Sequence, residues 1–289
     1  MKRMFVLALL VLACKPAAEK TLPVAADNKY QQEIMQWREH RRTRLLADDS
    51  WLTLTGLQWL DPGSNKIENP AVGATADLKD GVVTLAPNAK LTIDGKPVTK
   101  PVALLDDTNA KGPTIVQSGT TKFNVIKRAD KFGLRVRDTN AEARRDFKGL
   151  EYFDVNPKWR VEARFEPFSP PKHVAITNVL GMVTDEVAPG ELVFTVDGKE
   201  YRIEPILEQG ETDYFIIFKD QTSGKETYAA ARYVYAPPAK DGKTVIDFNK
   251  AYNPPCTFTP YATCPLPPSQ NRLPVRVEAG EKKYAGGHA

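Results

Sequence analysis

Histidine, cysteine and methionine are all scarce here, with three, three and four copies in 289 residues. His40 lies in a charged stretch, His173 follows Pro170-Pro171 and His288 is near the C-terminal end, so none accompanies a nucleophile motif and Ser-His-Asp hydrolysis lacks its base. G-x-S-x-G, H-E-x-x-H, the Walker loop and G-x-G-x-x-G are missing too. Nothing clusters as metal or redox ligands, and neither a metal nor a cofactor is expected. After residue 13 no apolar run approaches bilayer-spanning length. Neither charge sign dominates: 40 Lys and Arg are interspersed with 36 Asp and Glu, which argues against a nucleic-acid partner and against disorder. With 42% hydrophobic and 9% aromatic residues the chain can still build one large or two modest cores.

What is present first is an address. Lys2 and Arg3 precede an apolar run from Met4 to Ala13, too short to span a bilayer, which reads as a secretory signal over 1–13. The run ends Val11-Leu12-Ala13-Cys14, and this resembles a bacterial lipoprotein signal with Cys14 as the acylated first residue of the mature chain. Several acyl chains together, each burying methylenes at about 0.8 kcal/mol apiece, make a stable membrane anchor. The expected location is the bacterial cell envelope, facing the periplasm. Lys15 in place of Asp after the cysteine favours an outer-membrane over an inner-membrane address. Residues 14–26, containing Ala and Pro without periodicity, read as a tether that reaches about 40 Å.

A helix is expected over 27–48. Asn28 and Gln31 have capping-box spacing, and Tyr30, Ile34, Trp37 and Leu45 recur on one face. Its other faces carry Arg38, Arg41, Arg42 and Arg44, which could meet anionic lipid; an ordinary solvated face with Glu39 and Arg42 paired is the simpler expectation.

Beyond Trp51 short alternating runs take over, separated by Asp80-Gly81, Asp94-Gly95, Asp197-Gly198 and Asp241-Gly242. Asp-Gly between such runs marks hairpins. The fold class expected is all-β: an N-terminal β-sandwich over 50–143, then a C-terminal sheet or partly closed barrel over 144–283. The segment 251–282 holds too many prolines for an interior strand and is expected to run extended as a surface clamp. Cys256 and Cys264, an even pair once Cys14 is acylated, are expected to form a disulfide there; their spacing suits neither zinc nor a C-x-x-C dithiol. Residues 284–289 read as a disordered tail.

One polar constellation stands out. If the strand holding Arg232 pairs through Asp241-Gly242 with the strand holding Asp247, then Arg232, Asp247 and Asn249 can converge with Asn253 or with Arg135 and Arg137. Such a lining binds a sugar or a carboxylate. The competing reading is an Arg–carboxylate pair that pins the Pro-rich ribbon to the sheet. Trp51, Trp59 and Trp159 could stack on glycans, although burial is the commoner fate of tryptophan. Location and missing motifs together point to a lipid-anchored binding or scaffolding module, its partner an envelope glycan or small ligand. The alternative is a hydrolase of an envelope glycan or small ester, with Asp247 or Glu226 as acid or base.

DFNKAYNPPCTFTPYATCPLPPSQNRLPVRVEAGEK resembles the signature of the bacterial domain-of-unknown-function family 1684. SWLTLTGLQWL, IKRADKFGLRVRD and SGKETYAAARYVYAP follow that family's order, so the resemblance runs from Ser50 to Lys282 and implies no reaction. GVVTLAP, LTIDGKPV and TKFNVI are also similar to a forkhead-associated sandwich. The phosphothreonine-reading Arg and Ser have no counterpart in ATADLKDG, so that likeness implies architecture alone.

Overall fold

The computed structural model describes residues 24–208 and 210–286. The expected leader, Cys14 and most of the tether lie outside them. Among the described residues no helix is long and apolar enough to cross a membrane.

Helix α1 spans Val24–Leu45. Asn28 therefore sits inside the helix instead of capping it. Tyr30, Ile34 and Leu45 are buried as a stripe, while Trp37 is half-buried. Ten strands follow: β1 (Leu54–Trp59), β2 (Gly63–Lys66), β3 (Thr75–Lys79), β4 (Val82–Leu85), β5 (Asn88–Ile93), β6 (Lys96–Val98), β7 (Val102–Leu104), β8 (Val116–Ser118), β9 (Thr121–Arg128) and β10 (Lys131–Asp138). They form a six-stranded sheet in the order β1-β10-β9-β8-β5-β6 and a four-stranded sheet β2-β3-β4-β7. The two close on Leu85, Leu91, Val116, Phe123, Val125 and Leu134, so the first unit is a sandwich. Trp51 and Thr53 belong to a short 3-10 turn ahead of β1.

A one-turn helix α2 (Glu142–Arg145) leads into the second unit: β11 (Arg160–Thr177), β12 (Val183–Val196), β13 (Lys199–Ile203), β14 (Tyr214–Phe218), β15 (Arg232–Ala236) and β16 (Lys243–Asp247). Its sheets are β13-β12-β11-β16 and β14-β15, and the whole protein is mostly β with little helix. Phe248 anchors the core, its ring 5.3 Å from Phe218, 5.7 Å from Phe194 and 6.1 Å from Trp159. Aromatic pairs of this kind contribute about 0.5–1.5 kcal/mol each beyond the area they bury.

All four Asp-Gly pairs have positive φ at both residues, the geometry of a two-residue turn that matches strand twist. Three of them close hairpins between laddered strands: β3–β4, β5–β6 and β12–β13. The fourth does not. β15 pairs with β14 and β16 with β11, and only the isolated bridge Lys240–Lys243 flanks Asp241-Gly242. Pro237 and Pro238 interrupt the chain between β15 and β16, and without N–H groups they cannot carry a ladder.

The Pro-rich ribbon departs furthest from expectation. It is irregular, as its prolines require, yet Ala251, Asn253, Phe258, Thr259, Leu273, Val277 and Ala279 are all buried. It threads between the units instead of clasping their surface. A buried irregular segment has peptide groups with no ladder partner, and these must find side chains. Tyr284 also belongs to the packed part, buried against Phe258 at 5.1 Å and Phe147 at 5.7 Å, so the expected loose tail does not begin there.

Candidate functional site

Four of the residues marked by the sequence turn out to serve that buried ribbon or the helix beside it. Arg232 is sealed in, its side chain 1% exposed; it pairs with Asp220 at 3.2 Å and donates to the carbonyl of Val277 at 2.8 Å and to that of Ala279. Asp220 in turn accepts the Val277 N–H at 2.7 Å. Asp247 accepts the Tyr30 hydroxyl at 2.8 Å, and Asn249 donates to the same tyrosine oxygen at 3.0 Å and to the Asn156 carbonyl at 2.9 Å. Asn253 donates its N–H to Glu281 at 2.7 Å and its side-chain amide to the Lys282 carbonyl at 2.8 Å. These four groups do not line one cleft. They are consumed in three separate networks, as the β15–β16 mispairing dictates.

Glu281 has the same role from the other side. Its fully buried carboxylate binds Arg41 at 2.8 Å, and Arg41 also donates to the Asn253 carbonyl at 3.0 Å. Gly280 holds it there: φ is +77°, and a Cβ would collide with the carbonyls of Ala251 and Phe248. Arg38 donates to the Phe153 carbonyl at 2.8 Å. Arg38 and Arg41 thus face the second β unit and not a lipid surface, whereas Arg42 forms the expected exposed pair with Glu39.

The carboxylates of the hydrolase alternative are equally engaged and on different elements. Asp247 holds Tyr30, while Glu226 is bound two-pronged by Arg276 at 2.7 and 2.8 Å. Neither one lines any of the four best-formed cavities among the described residues. Cys256 and Cys264 are free thiols instead of a disulfide. The Cys256 N–H donates to Cys264 Sγ at 3.0 Å, and Cys256 Sγ turns to the Ala262 carbonyl at 3.6 Å.

Arg135 and Arg137 are placed differently. Along β10 the period of two sends Phe132, Leu134 and Val136 into the sandwich core and Gly133, Arg135 and Arg137 to the outer face. On β9, Asn124 lies opposite Arg135 on that face. The ribbon and Trp51 cover it. Trp51 lies 5.2 Å beneath the Arg135 guanidinium and 5.9 Å from that of Arg137. Between β10, the ribbon and the second unit remains a cleft of about 580 Å³, walled by Arg135, Arg128, Trp51, Tyr233, Phe215 and Glu208 among others. That volume falls in the roughly 300–1,000 Å³ typical of small-molecule sites.

The electrostatics of this cleft are unusual. Arg137 donates to Asn124 at 3.0 Å and Arg128 is paired with Asp107 at 2.9 Å. Arg135 is 6% exposed and its side chain has no hydrogen bond or ion pair among the described residues; its Nε is buried without an acceptor. Burial, reinforced by the charges of Arg128 and Arg137, pulls its pKa down to about 10. Across the cleft, Glu208 accepts the Tyr235 hydroxyl at 2.8 Å, and burial raises its pKa above the ordinary carboxylate value, with Glu186 and Glu211 adding to the rise. Tryptophan 51 was legible as an aromatic of interest and Arg135 and Arg137 as members of a polar group. Glu208, Arg128 and Tyr233 carried no local signal, because their proximity depends on how the units meet. Trp159 lies in the core and Trp59 rests on Gly133, so neither offers a glycan platform in the cleft.

Fold and cleft together define a two-unit, mostly β protein with a small-molecule-sized cavity between its units. Residues 145–282 match the family described as Protein of unknown function (DUF1684). SWLTLTGLQWL and IKRADKFGLRVRD lie outside the matched residues. The chain is also similar to the solution NMR structure of an uncharacterized protein from Haloarcula marismortui, at 31% identity over 50% of this chain and 80% of that one, with a TM-score of 0.42. No curated protein matches it.

Proposed function

We propose that this protein is a binding module, fastened through acylated Cys14 to the periplasmic face of the bacterial outer membrane, which holds a small anionic ligand in the cleft between its β units. One observation carries the binding reading: Arg135, nine-tenths buried and facing a cavity, has no anionic side-chain partner among the described residues. A buried unpaired guanidinium costs stability, and a residue that costs stability is characteristic of a site. Trp51 beneath it supplies a flat apolar floor, and Arg offers a carboxylate or phosphate two parallel N–H bonds. The anchor rests on the Leu12-Ala13-Cys14 sequence behind Lys2 and Arg3.

Thermal melting of the mature chain with inorganic phosphate, sulfate and short carboxylates tests the binding half. A ligand at a hundred times its Kd stabilises by about 2.7 kcal/mol, a rise of about 5–10 °C for a protein of this size. Unchanged melting with all three anions, or a rise that persists in Arg135→Gln, overturns it. For the anchor, Cys14→Ser should abolish palmitate incorporation and release the chain from the membrane fraction; palmitate-free wild type refutes it.

A further inference from the structure

The cleft has two walls of opposite charge. On the side of the first unit stand Arg135, Arg128 and Lys127; on the side of the second stand Glu208 and Glu186. Opposite charges around a shared cavity would ordinarily close onto one another, yet no ion pair crosses this one among the described residues. Arg128 is turned to Asp107, the Arg135 guanidinium has no hydrogen bond or ion pair, and Glu208 has only the neutral Tyr235 hydroxyl on one of its two oxygens. The Glu186 side chain has no hydrogen bond or ion pair among the described residues. Each wall thus keeps unspent capacity directed at the void, while Trp51 and Phe215 add apolar surface to the lining.

Resting on the anion-binding reading above, we infer that the ligand is zwitterionic: a free amino acid, ω-amino acid or short peptide whose carboxylate meets Arg135 and whose ammonium meets Glu208. A simple anion would satisfy Arg135 and leave Glu208 desolvated beside a second negative charge. A simple amine would do the reverse. A molecule with both ends charged and a short apolar span between them completes both walls and neutralises the cavity, which is electrostatic complementarity used for selection. Tyr235 then positions Glu208 by holding one carboxylate oxygen and leaving the other for the ligand.

Titration calorimetry on the full mature chain tests this with straight-chain ω-amino acids of increasing length, each beside the monocarboxylate and the monoamine of the same length. The expected result is an optimum length at which the amino acid binds about tenfold or more tighter than either one-ended analogue. Glu208→Gln should erase that advantage while monocarboxylate binding persists, and Arg135→Gln should remove both. If carboxylates bind wild type as tightly as amino acids at every length, or if Glu208→Gln keeps the preference, the zwitterion inference is overturned and the anion reading survives. If neither carboxylates nor amino acids bind folded wild type, both fall. The wild-type comparison decides the matter even where a variant does not fold.

Discussion

Tyr30 of α1 donates its hydroxyl to Asp247 at the end of β16, a 2.8 Å bond between residues 217 positions apart. Asn249 completes the triangle by donating to the tyrosine oxygen at 3.0 Å. The helix is thus docked on the second β unit, past the sandwich that follows it in the chain. Burial and the adjacent Asp247 both raise the Tyr30 pKa, so it remains a neutral donor across the physiological range. Tyr30→Phe should cost about 1–2 kcal/mol in chemical denaturation, the price of two polar groups left without their hydroxyl. Amide exchange within 30–45 should accelerate more than in β9 or β10; uniform acceleration would contradict a local docking role.

Arg232 and Asp220 hold the buried ribbon, with side chains 1% and 0% exposed. Arg232→Met strands the carboxylate and frees the carbonyls of Val277 and Ala279, so a loss of about 3–5 kcal/mol is expected. A ligand-binding role predicts instead a stable protein with weakened affinity. Urea denaturation beside calorimetry separates the two.

Arg135→Met should act in the opposite direction. It removes an unpaired buried charge and keeps the apolar stem over Trp51, so stability should rise by about 1–2 kcal/mol while anion binding disappears. A destabilised variant would mean that Arg135 has a structural partner.

Glu208 sets a pH dependence whose sign is opposite to that of a salt-bridged carboxylate. Its folded-state pKa is raised, so on raising the pH the unfolded chain loses this proton first. The ligand-free protein therefore loses stability as pH climbs from the ordinary carboxylate range, about 4.5, through the raised value. Glu208→Gln lacks this loss, so melting curves of the two proteins should diverge with increasing pH over that window. Parallel curves would refute the burial of this charge.

The thiols differ by environment. Cys256 is half-buried, with its pKa lowered chiefly by its hydrogen bond with Cys264, whereas Cys264 is buried and its pKa is raised by that burial. Iodoacetamide at neutral pH should therefore modify Cys256 first, read by peptide mass. Equal rates would indicate that the ribbon opens.

The constellation of Arg232, Asp247, Asn249 and Asn253 was legible as a set of polar residues where apolar ones were due, and this much was informative. What such a set does was not legible. The same residue types line a ligand cleft or satisfy stranded peptide groups, and the choice depends on whether an irregular segment is buried against them. The ribbon is so buried, and they are spent on it and on α1. Arg135 and Arg137 carried the better signal in FGLRVRD, where strict alternation already separated a core face from an arginine face.

Local chemistry was sufficient to write the strand pattern, the positive-φ Asp-Gly turns, the inward stripe of α1 and the all-β class, because each depends on residues within a few positions of one another. The partner of β15, the docking of α1 on the second unit, the burial of the ribbon and the meeting of Arg135 with Glu208 were settled only in three dimensions. Those depend on contacts between distant segments, whose free energy comes from packing and from the need to satisfy every buried polar group, and no short window of sequence contains both members of such a contact.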